Sequence, residues 1–187
     1  MKNIFHGLGI ALVTPFKQNG EIDYDALKRL IEYQIENGAD FFAILATTGE
    51  CPCLSTEEKN ELTETIISVV NGRVPILKYC GGNNTAAVVE EIKQTNWKGI
   101  DGILSICPYY NKPSQEGLYQ HFKAIAETSS LPIVLYNVPG RTGVNMKAET
   151  TVRIANDFPN IVAIKEAAGS LEQVDEIIKN KPKHFEV

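Results

Sequence analysis

The amino-acid sequence predicts an α/β chain of repeated strand–helix units around a parallel sheet. Three observations carry that expectation. Short apolar runs recur without strict alternation, as strands buried on both faces do. Amphipathic helical stretches with cap signals lie between them. The repeat is about 30 residues, the size of a βαβ unit.

Taken in order, the candidate strands cover 9–13, 41–46, 75–80, 102–107, 132–138 and 161–164, each rich in Ile, Val, Leu or Phe and bounded by Gly, Pro or Asn. The first helix follows Asp23, a suitable N-cap, with Leu27, Leu30, Ile31 and Ile35 on one face and Asn37-Gly38 as its stop. The second opens on Ser55 and Glu58, spaced as a capping box, carries Leu62, Ile66, Val69 and Val70, and ends at Asn71-Gly72. Thr85 precedes Val88, Val89 and Ile92; Ser114 precedes Leu118, Phe122 and Ile125; Ser170 precedes Leu171, Val174, Ile177 and Ile178. These stripes are expected to be packing faces. His184 to Val187 read as the opening of a seventh strand.

Two architectures fit this pattern, an open doubly wound sheet and a (β/α)₈ barrel. No G-x-G-x-x-G follows the first strand, no G-x-x-x-x-G-K-[ST] occurs, and Gly81-Gly82 lacks the rest of either phosphate-binding fingerprint. The barrel is favoured. Eight units need roughly 240 residues, and the 187 residues here supply six units and the start of a seventh. The chain is therefore expected to be a single, incomplete barrel domain over residues 1–187, a C-terminally truncated piece.

Composition narrows the function classes. At 43% hydrophobic and 22% charged, with a net charge of −5, the chain has the balance of a globular domain and no basic surplus for nucleic acid or anionic membrane. No apolar run approaches the ~20 residues of a spanning helix, and the N-terminus lacks a signal-peptide cleavage pattern. A cytoplasmic location is the expectation. Cys51 and Cys53 form a C-P-C triplet without metal-ligand spacing, and Cys80 and Cys107 end apolar runs. Reduced thiols and no metal site are expected. His6, His121 and His184 have no ligand spacing, Trp97 reads as a packing aromatic, and residues 56–61 read as the solvated first turns of a helix.

In a parallel barrel the active site gathers at the C-terminal ends of the strands. Those ends carry Thr47-Thr48-Gly49-Glu50, Pro108-Tyr109-Tyr110-Asn111, Tyr136-Asn137 followed by Arg141-Thr142-Gly143, and Lys165-Glu166-Ala167. Lys165 directly follows an apolar strand. Desolvation there favours the neutral amine, the nucleophile of Schiff-base chemistry with a carbonyl substrate. A structural lysine paired with Glu50 or Glu166 fits the position equally well. Tyr136 is either a core aromatic or a proton-transfer hydroxyl, Tyr110 either exposed or at an interface. The two threonines could cap a helix or hold a ligand. Arg141 carries the fork that binds a carboxylate, or is a solvated loop charge.

Together these motifs, in this order and joined by Asn111-Lys112-Pro113-Ser114-Gln115-Glu116-Gly117-Leu118, resemble the 4-hydroxy-tetrahydrodipicolinate synthase (dihydrodipicolinate synthase) family of the pyruvate-dependent class I aldolase and lyase superfamily. The resemblance runs over the whole chain. It implies a (β/α)₈ TIM barrel and a lyase that condenses pyruvate with L-aspartate 4-semialdehyde in lysine and diaminopimelate biosynthesis. It implies the Schiff base at Lys165, proton transfer by Tyr136 with Thr47 and Tyr110, and Tyr110 reaching in from a neighbouring subunit. Thr48 would bind pyruvate's carboxylate and Arg141 that of the semialdehyde. It implies no cofactor and a homotetramer made as a dimer of dimers. Sugar-acid aldolases and N-acetylneuraminate lyases share the lysine and tyrosine but differ around Arg141. A non-catalytic barrel relative would not need a desolvated amine.

The chain departs from the family pattern at three places. It is shorter than the family's enzymes, which leaves the activity of this piece open. Ala46 stands where a glycine is common, and its methyl is tolerable if the backbone is at negative φ. Thr56, Lys59 and Ala87 stand where lysine-sensitive members carry two histidines and a glutamate, while Asn83 and Tyr109 still match. A cation at Lys59 and a missing carboxylate oppose a cationic effector, so lysine inhibition is expected to be weak or absent.

Overall fold

A computed structural model describes residues 4–187, which form two compact units. The first comprises residues 4–79 with 97–101. Its elements are β1 (Gly9–Ala11), α1 (Tyr24–Glu36), β2 (Phe41–Ile44), two single-turn 3₁₀ helices (Thr47–Gly49 and Cys51–Cys53), α2 (Thr56–Val70) and β3 (Ile76–Tyr79). β1 pairs parallel with β2, Gly9 opposite Phe41, and β2 parallel with β3, Phe42 opposite Ile76. A side chain on Gly9 would collide with the Phe41 ring, so the ring's place against β1 requires glycine. Phe42 and Ile44 from the sheet and Leu27, Ile31, Leu62, Ile66 and Val70 from the helices are buried, which bears out both predicted packing stripes at their centres.

The expected caps of this unit are present. Asp23 Oδ1 accepts from Ala26 N–H at 2.8 Å, satisfying an otherwise orphaned donor of α1. Ser55 Oγ accepts from Glu58 N–H at 3.1 Å while Ser55 N–H donates to Glu58 Oε2 at 2.8 Å, a complete capping box. Asn71 ends α2 in the left-handed region at φ 48°.

The second unit comprises residues 80–96 and 102–187. It holds α3 (Thr85–Gln94), β4 (Gly102–Ile106), α4 (Gln115–Thr128), β5 (Ile133–Asn137), the short α5 (Pro139–Thr142), α6 (Ala148–Asp157), β6 (Ile161–Glu166) and α7 (Leu171–Asn180). β4 and β5 pair parallel with Ile106 opposite Tyr136. β5 and β6 pair parallel with a register shift after Ile133: Ile133 faces Ile161, whereas Val134 faces Ala163. Every residue of β4 and β5 is buried, as strands covered on both faces require. The predicted seventh strand opens where expected. Glu186 N–H donates to Val162 O and Ile164 N–H to Glu186 O, both at 2.9 Å, in a parallel bridge to β6.

Asn84 caps α3, its Oδ1 accepting from Ala87 N–H at 3.3 Å, and the Thr85 hydroxyl bonds His121 Nδ1 at 2.8 Å. Several expectations need correction. The α7 stripe is not a packing face throughout. Ile177 is buried, but Leu171 is 85% exposed and Ile178 half exposed, because the elements packed on α7 cover one side of it. α6 was not among the predicted helices; its inner face is built from Ala148, Thr150, Thr151, Ile154 and Ala155, too small and polar to show an apolar stripe. β6 extends two residues beyond its apolar run and takes in Lys165 and Glu166.

His121 is buried on α4, and its Nε2 has no partner among the described residues. Burial lowers its pKa to about 4. A depressed folded-state pKa means the unfolded chain binds the proton first. The stabilisation is thus complete above pH ~6.5 and is lost as pH falls through about 4. The shift corresponds to at most about 3 kcal/mol. Urea unfolding at pH 7 and pH 4.5 is expected to show a larger acid loss for the wild-type chain than for His121→Gln, and equal losses would refute this assignment.

Candidate active site

The register shift between β5 and β6 decides which side chains meet. With the shift, Tyr136 lies opposite Lys165 and Asn137 opposite Glu166. Side chains alternate along a strand, so Tyr136 and Lys165 share one face and Asn137 and Glu166 the other. Lys165 Nζ lies 4.6 Å from the centre of the Tyr136 ring. Tyr136 is 5% exposed and forms a fixed floor under the amine.

Lys165 differs from expectation in one respect. Its predecessors Ala163 and Ile164 are buried, but the lysine side chain, at the strand's end, is exposed. The protein packed around the amine still lowers its pKa by desolvation. The contact with the Tyr136 ring favours the ammonium and opposes that shift in part. The balance leaves the amine easier to deprotonate than an ordinary lysine.

The reading of Lys165 as one half of an ion pair with Glu166 is excluded by what Glu166 does. Its carboxylate accepts from Asn137 Nδ2 at 3.1 and 3.0 Å, from Ala168 N–H at 2.7 Å and from Gln173 Nε2 at 2.9 Å. Those amide donors lie on the face of the sheet away from the lysine.

The loop after β5 carries Arg141 on α5. Its guanidinium is exposed and has no ion pair among the described residues, while its N–H closes the turn on Val138 O at 2.9 Å. Tyr110, in the loop after β4, is 89% exposed and sits at φ 73°, a conformation that costs a non-glycine residue free energy. A bond from Tyr110 N–H to Thr142 O at 3.2 Å ties its loop to that of Arg141. Within this unit, then, Tyr136 and Lys165 are brought together, and the Tyr110 ring stands in solvent.

In the first unit, Thr47 and Thr48 form the 3₁₀ turn that follows β2, Thr47 half-buried and Thr48 exposed. Leu45 and Glu50 flank the turn, both at φ 54°, so two left-handed non-glycine residues hold it. Ala46 between them is at φ −87°, where its methyl costs nothing, as expected. Thr14 Oγ donates to Gly49 O at 2.7 Å and pins the turn from beneath. Thr14 was not singled out from the sequence, and neither were Asn145 and Gln173; none of them belongs to a motif.

Among the described residues, no cluster of three His, Cys, Asp or Glu is placed to hold a metal ion, and no helix is long and apolar enough to cross a membrane.

The profile of the dihydrodipicolinate synthetase family matches residues 4–187. The 4-hydroxy-tetrahydrodipicolinate synthase of Phocaeicola vulgatus is 60% identical over 97% of this chain, and that of Bacillus subtilis 50% identical over 98%. The chain spans about 61% and 63% of their respective lengths. Among solved structures, a dihydrodipicolinate synthase from Bacillus anthracis is 45% identical with a TM-score of 0.92, over 99% of this chain and 63% of its own. The enzyme from Thermotoga maritima is 46% identical with a TM-score of 0.91, over 95% of this chain and 60% of its own. The fold class they share with this chain is the expected (β/α)₈ barrel, represented here by six strand–helix units and the opening of a seventh strand. The family match and these identities agree: the chain belongs to the dihydrodipicolinate synthetase family.

Proposed function

We propose that this chain carries the pyruvate-activating site of a lyase that condenses pyruvate with L-aspartate 4-semialdehyde to 4-hydroxy-tetrahydrodipicolinate, a step of lysine and diaminopimelate biosynthesis. The observation that carries the reading is the desolvated amine of Lys165 held over Tyr136, with its neighbouring carboxylate engaged elsewhere. A lysine with lowered pKa and no carboxylate bonded to it is what nucleophilic attack on a carbonyl needs.

In this reading the neutral Lys165 amine attacks C2 of pyruvate, and the carbinolamine loses water to give the protonated imine. Loss of a C3 proton yields the enamine, whose C3 forms a bond to the aldehyde carbon of the semialdehyde. The amine of that substrate then attacks C2, the ring closes, and the C2–Lys165 bond breaks to free the lysine. Each proton transfer needs a nearby group that can both give and accept, and a hydroxyl does so without placing a fixed charge beside the amine. Tyr136, with Thr47 and Tyr110, takes that role. Thr48 holds the carboxylate of pyruvate, and the unpaired fork of Arg141 that of the semialdehyde. The imine is itself the electron sink, so the reaction calls for no metal or organic cofactor.

The exposed Tyr110 ring fits a residue completed by a neighbouring subunit, and we assign the whole protein to a cytoplasmic homotetramer built as a dimer of dimers. One solved relative, 46% identical, is described as a monomeric variant, so sedimentation of the intact protein is the direct test. Tyr110→Ala is expected to weaken both association and turnover.

Incubation with pyruvate and borohydride followed by peptide mapping is expected to give a single reduced adduct at Lys165 and none in Lys165→Ala. The adduct should form with an apparent pKa below the ~10.4 of an ordinary lysine. A folded chain that gives no adduct would refute the reading. With the intact protein, Arg141→Ala is expected to raise KM for the semialdehyde about tenfold or more, by loss of a charge-assisted pair, and to leave pyruvate trapping unchanged. Faster turnover of sugar acids than of the semialdehyde would instead assign the chain to a sister activity. Because Lys59 and Ala87 replace ligands of a cationic effector, millimolar L-lysine is expected to leave turnover unchanged.

A further inference from the structure

Glu166 follows the reactive lysine directly, is half-buried, and carries a charge that the chemistry above does not use. Its surroundings are built for it. Asn137, fully buried, donates from Nδ2 to both Glu166 oxygens and to Asn145 Oδ1 at 2.8 Å. Asn137 Oδ1 accepts from Met146 N–H at 3.0 Å and from the Cys107 thiol at 3.8 Å. Gln173 of α7 donates to Glu166 and accepts from Asn145 Nδ2 at 2.8 Å. The end of β6, the end of β5, the 144–147 loop and α7 thus close on one carboxylate.

We propose that Glu166, clamped by Asn137 and Gln173 on the rear of the sheet, is a positioning residue that holds Lys165 over Tyr136. The inference rests on the reading of Lys165 as the Schiff-base lysine. Geometry carries it. Asn137 and Glu166 are register partners one residue beyond Tyr136 and Lys165, so locking the rear pair fixes the spacing of the front pair. Ala167 N–H donates to Asn137 O at 2.8 Å and Ala168 N–H to Glu166 itself, so the chain after the lysine cannot swing outward. The Cys107 thiol, beside this carboxylate, is pushed up to about 12 by burial first and by the Glu166 charge second, and stays a neutral donor. The same loop that Asn137 holds through Met146 follows α5, so Arg141 shares the anchor.

In Glu166→Gln an amide NH₂ must meet donors that now meet oxygen, and an unmatched buried group destabilises the contact. The reversed pair, Asn137→Asp with Glu166→Gln, restores a donor facing an acceptor and conserves the charge of −1. The test measures the limiting rate of pyruvate–borohydride trapping at Lys165 and the pKa of Lys165 by competitive acetylation with peptide mapping. Glu166→Gln is expected to trap about tenfold more slowly, in keeping with the sensitivity of reacting groups to sub-ångström misplacement, and the double variant to recover to within about threefold. Gln173→Ala, at a half-buried helix position, removes one donor and is expected to slow trapping about threefold. The sign of the pKa change separates positioning from charge. Freed from the desolvating surroundings over Tyr136, whose effect outweighs the pull of the ring, the amine should move up toward the ordinary lysine range in Glu166→Gln. Loss of a mere counter-charge would move it down. Trapping at the wild-type rate, a downward pKa, or additive damage in the double variant would overturn the proposal. If the wild-type chain traps no pyruvate, the Schiff-base reading fails, while the acetylation measurement still decides the clamp.

Discussion

A one-residue register shift between β5 and β6 determines what can react with what in the second unit. Parallel pairing alone would carry the Ile133–Ile161 offset along the ladder and set Tyr136 opposite Ile164. Because one residue on a strand exchanges the two faces, that ladder would place Lys165 opposite Asn137. The irregularity after Ile133 moves β6 along by one. The aromatic floor, the amine, and the two polar groups behind them then fall into matching places. The bridge from Val162 and Ile164 to Glu186 holds the far side of β6 where the shift has just occurred.

The electrostatics follow from that pairing. A lysine and a glutamate adjacent in sequence would ordinarily neutralise each other if their side chains could meet, but on a strand they project to opposite faces. Glu166 therefore draws its stabilisation from neutral donors: two side-chain amides and a backbone N–H. Lys165, left without that carboxylate, feels mainly desolvation and the ring of Tyr136, which act in opposite directions on its proton. Its lowered pKa comes from desolvation by the protein packed around the amine.

Much of this was legible in the sequence because it is local. The caps at Asp23 and Ser55 and the left-handed stop at Asn71 depend on neighbours within one turn, and all three formed as their residue types dictate. The six apolar runs became six strands, five of them trimmed by a residue or two and the sixth extended to Glu166. The misses are non-local. Thr85 satisfies His121 on another helix rather than its own helix end, and no spacing rule reports that. The inner face of α6 mixes Ile154 with threonine and alanine, and Gln115 of α4 accepts from the Thr150 hydroxyl there at 2.6 Å, a hydrogen bond in place of an apolar contact. Leu171 and Ile178 carry an apolar stripe whose exposure could not be foreseen from its periodicity, because periodicity states what a face is made of and not what covers it. At the site, Lys165 and Tyr136 were legible from their place at strand ends. The clamp behind them was not, since Asn137, Asn145 and Gln173 are joined only by the fold.

The two kinds of candidate site residue in the second unit differ in how firmly the protein holds them. Tyr136 and Asn137 are buried inside a paired strand, where neighbouring atoms on every side limit their freedom. Arg141 and Tyr110 stand exposed on short loops joined by a single backbone hydrogen bond. The contrast matches the tasks proposed for them. A proton-transfer group must be fixed relative to the atom it serves, because misplacement by a fraction of an ångström is felt in the rate. A group that recognises a charged ligand must instead keep its donors free, since an arginine already paired with a carboxylate would have to give up one ion pair to form another. The strain stored at Tyr110, a left-handed tyrosine with its ring in solvent, belongs to the same pattern. The backbone there is in an unfavourable conformation while the ring stands in solvent and the Tyr110 N–H bonds Thr142 O.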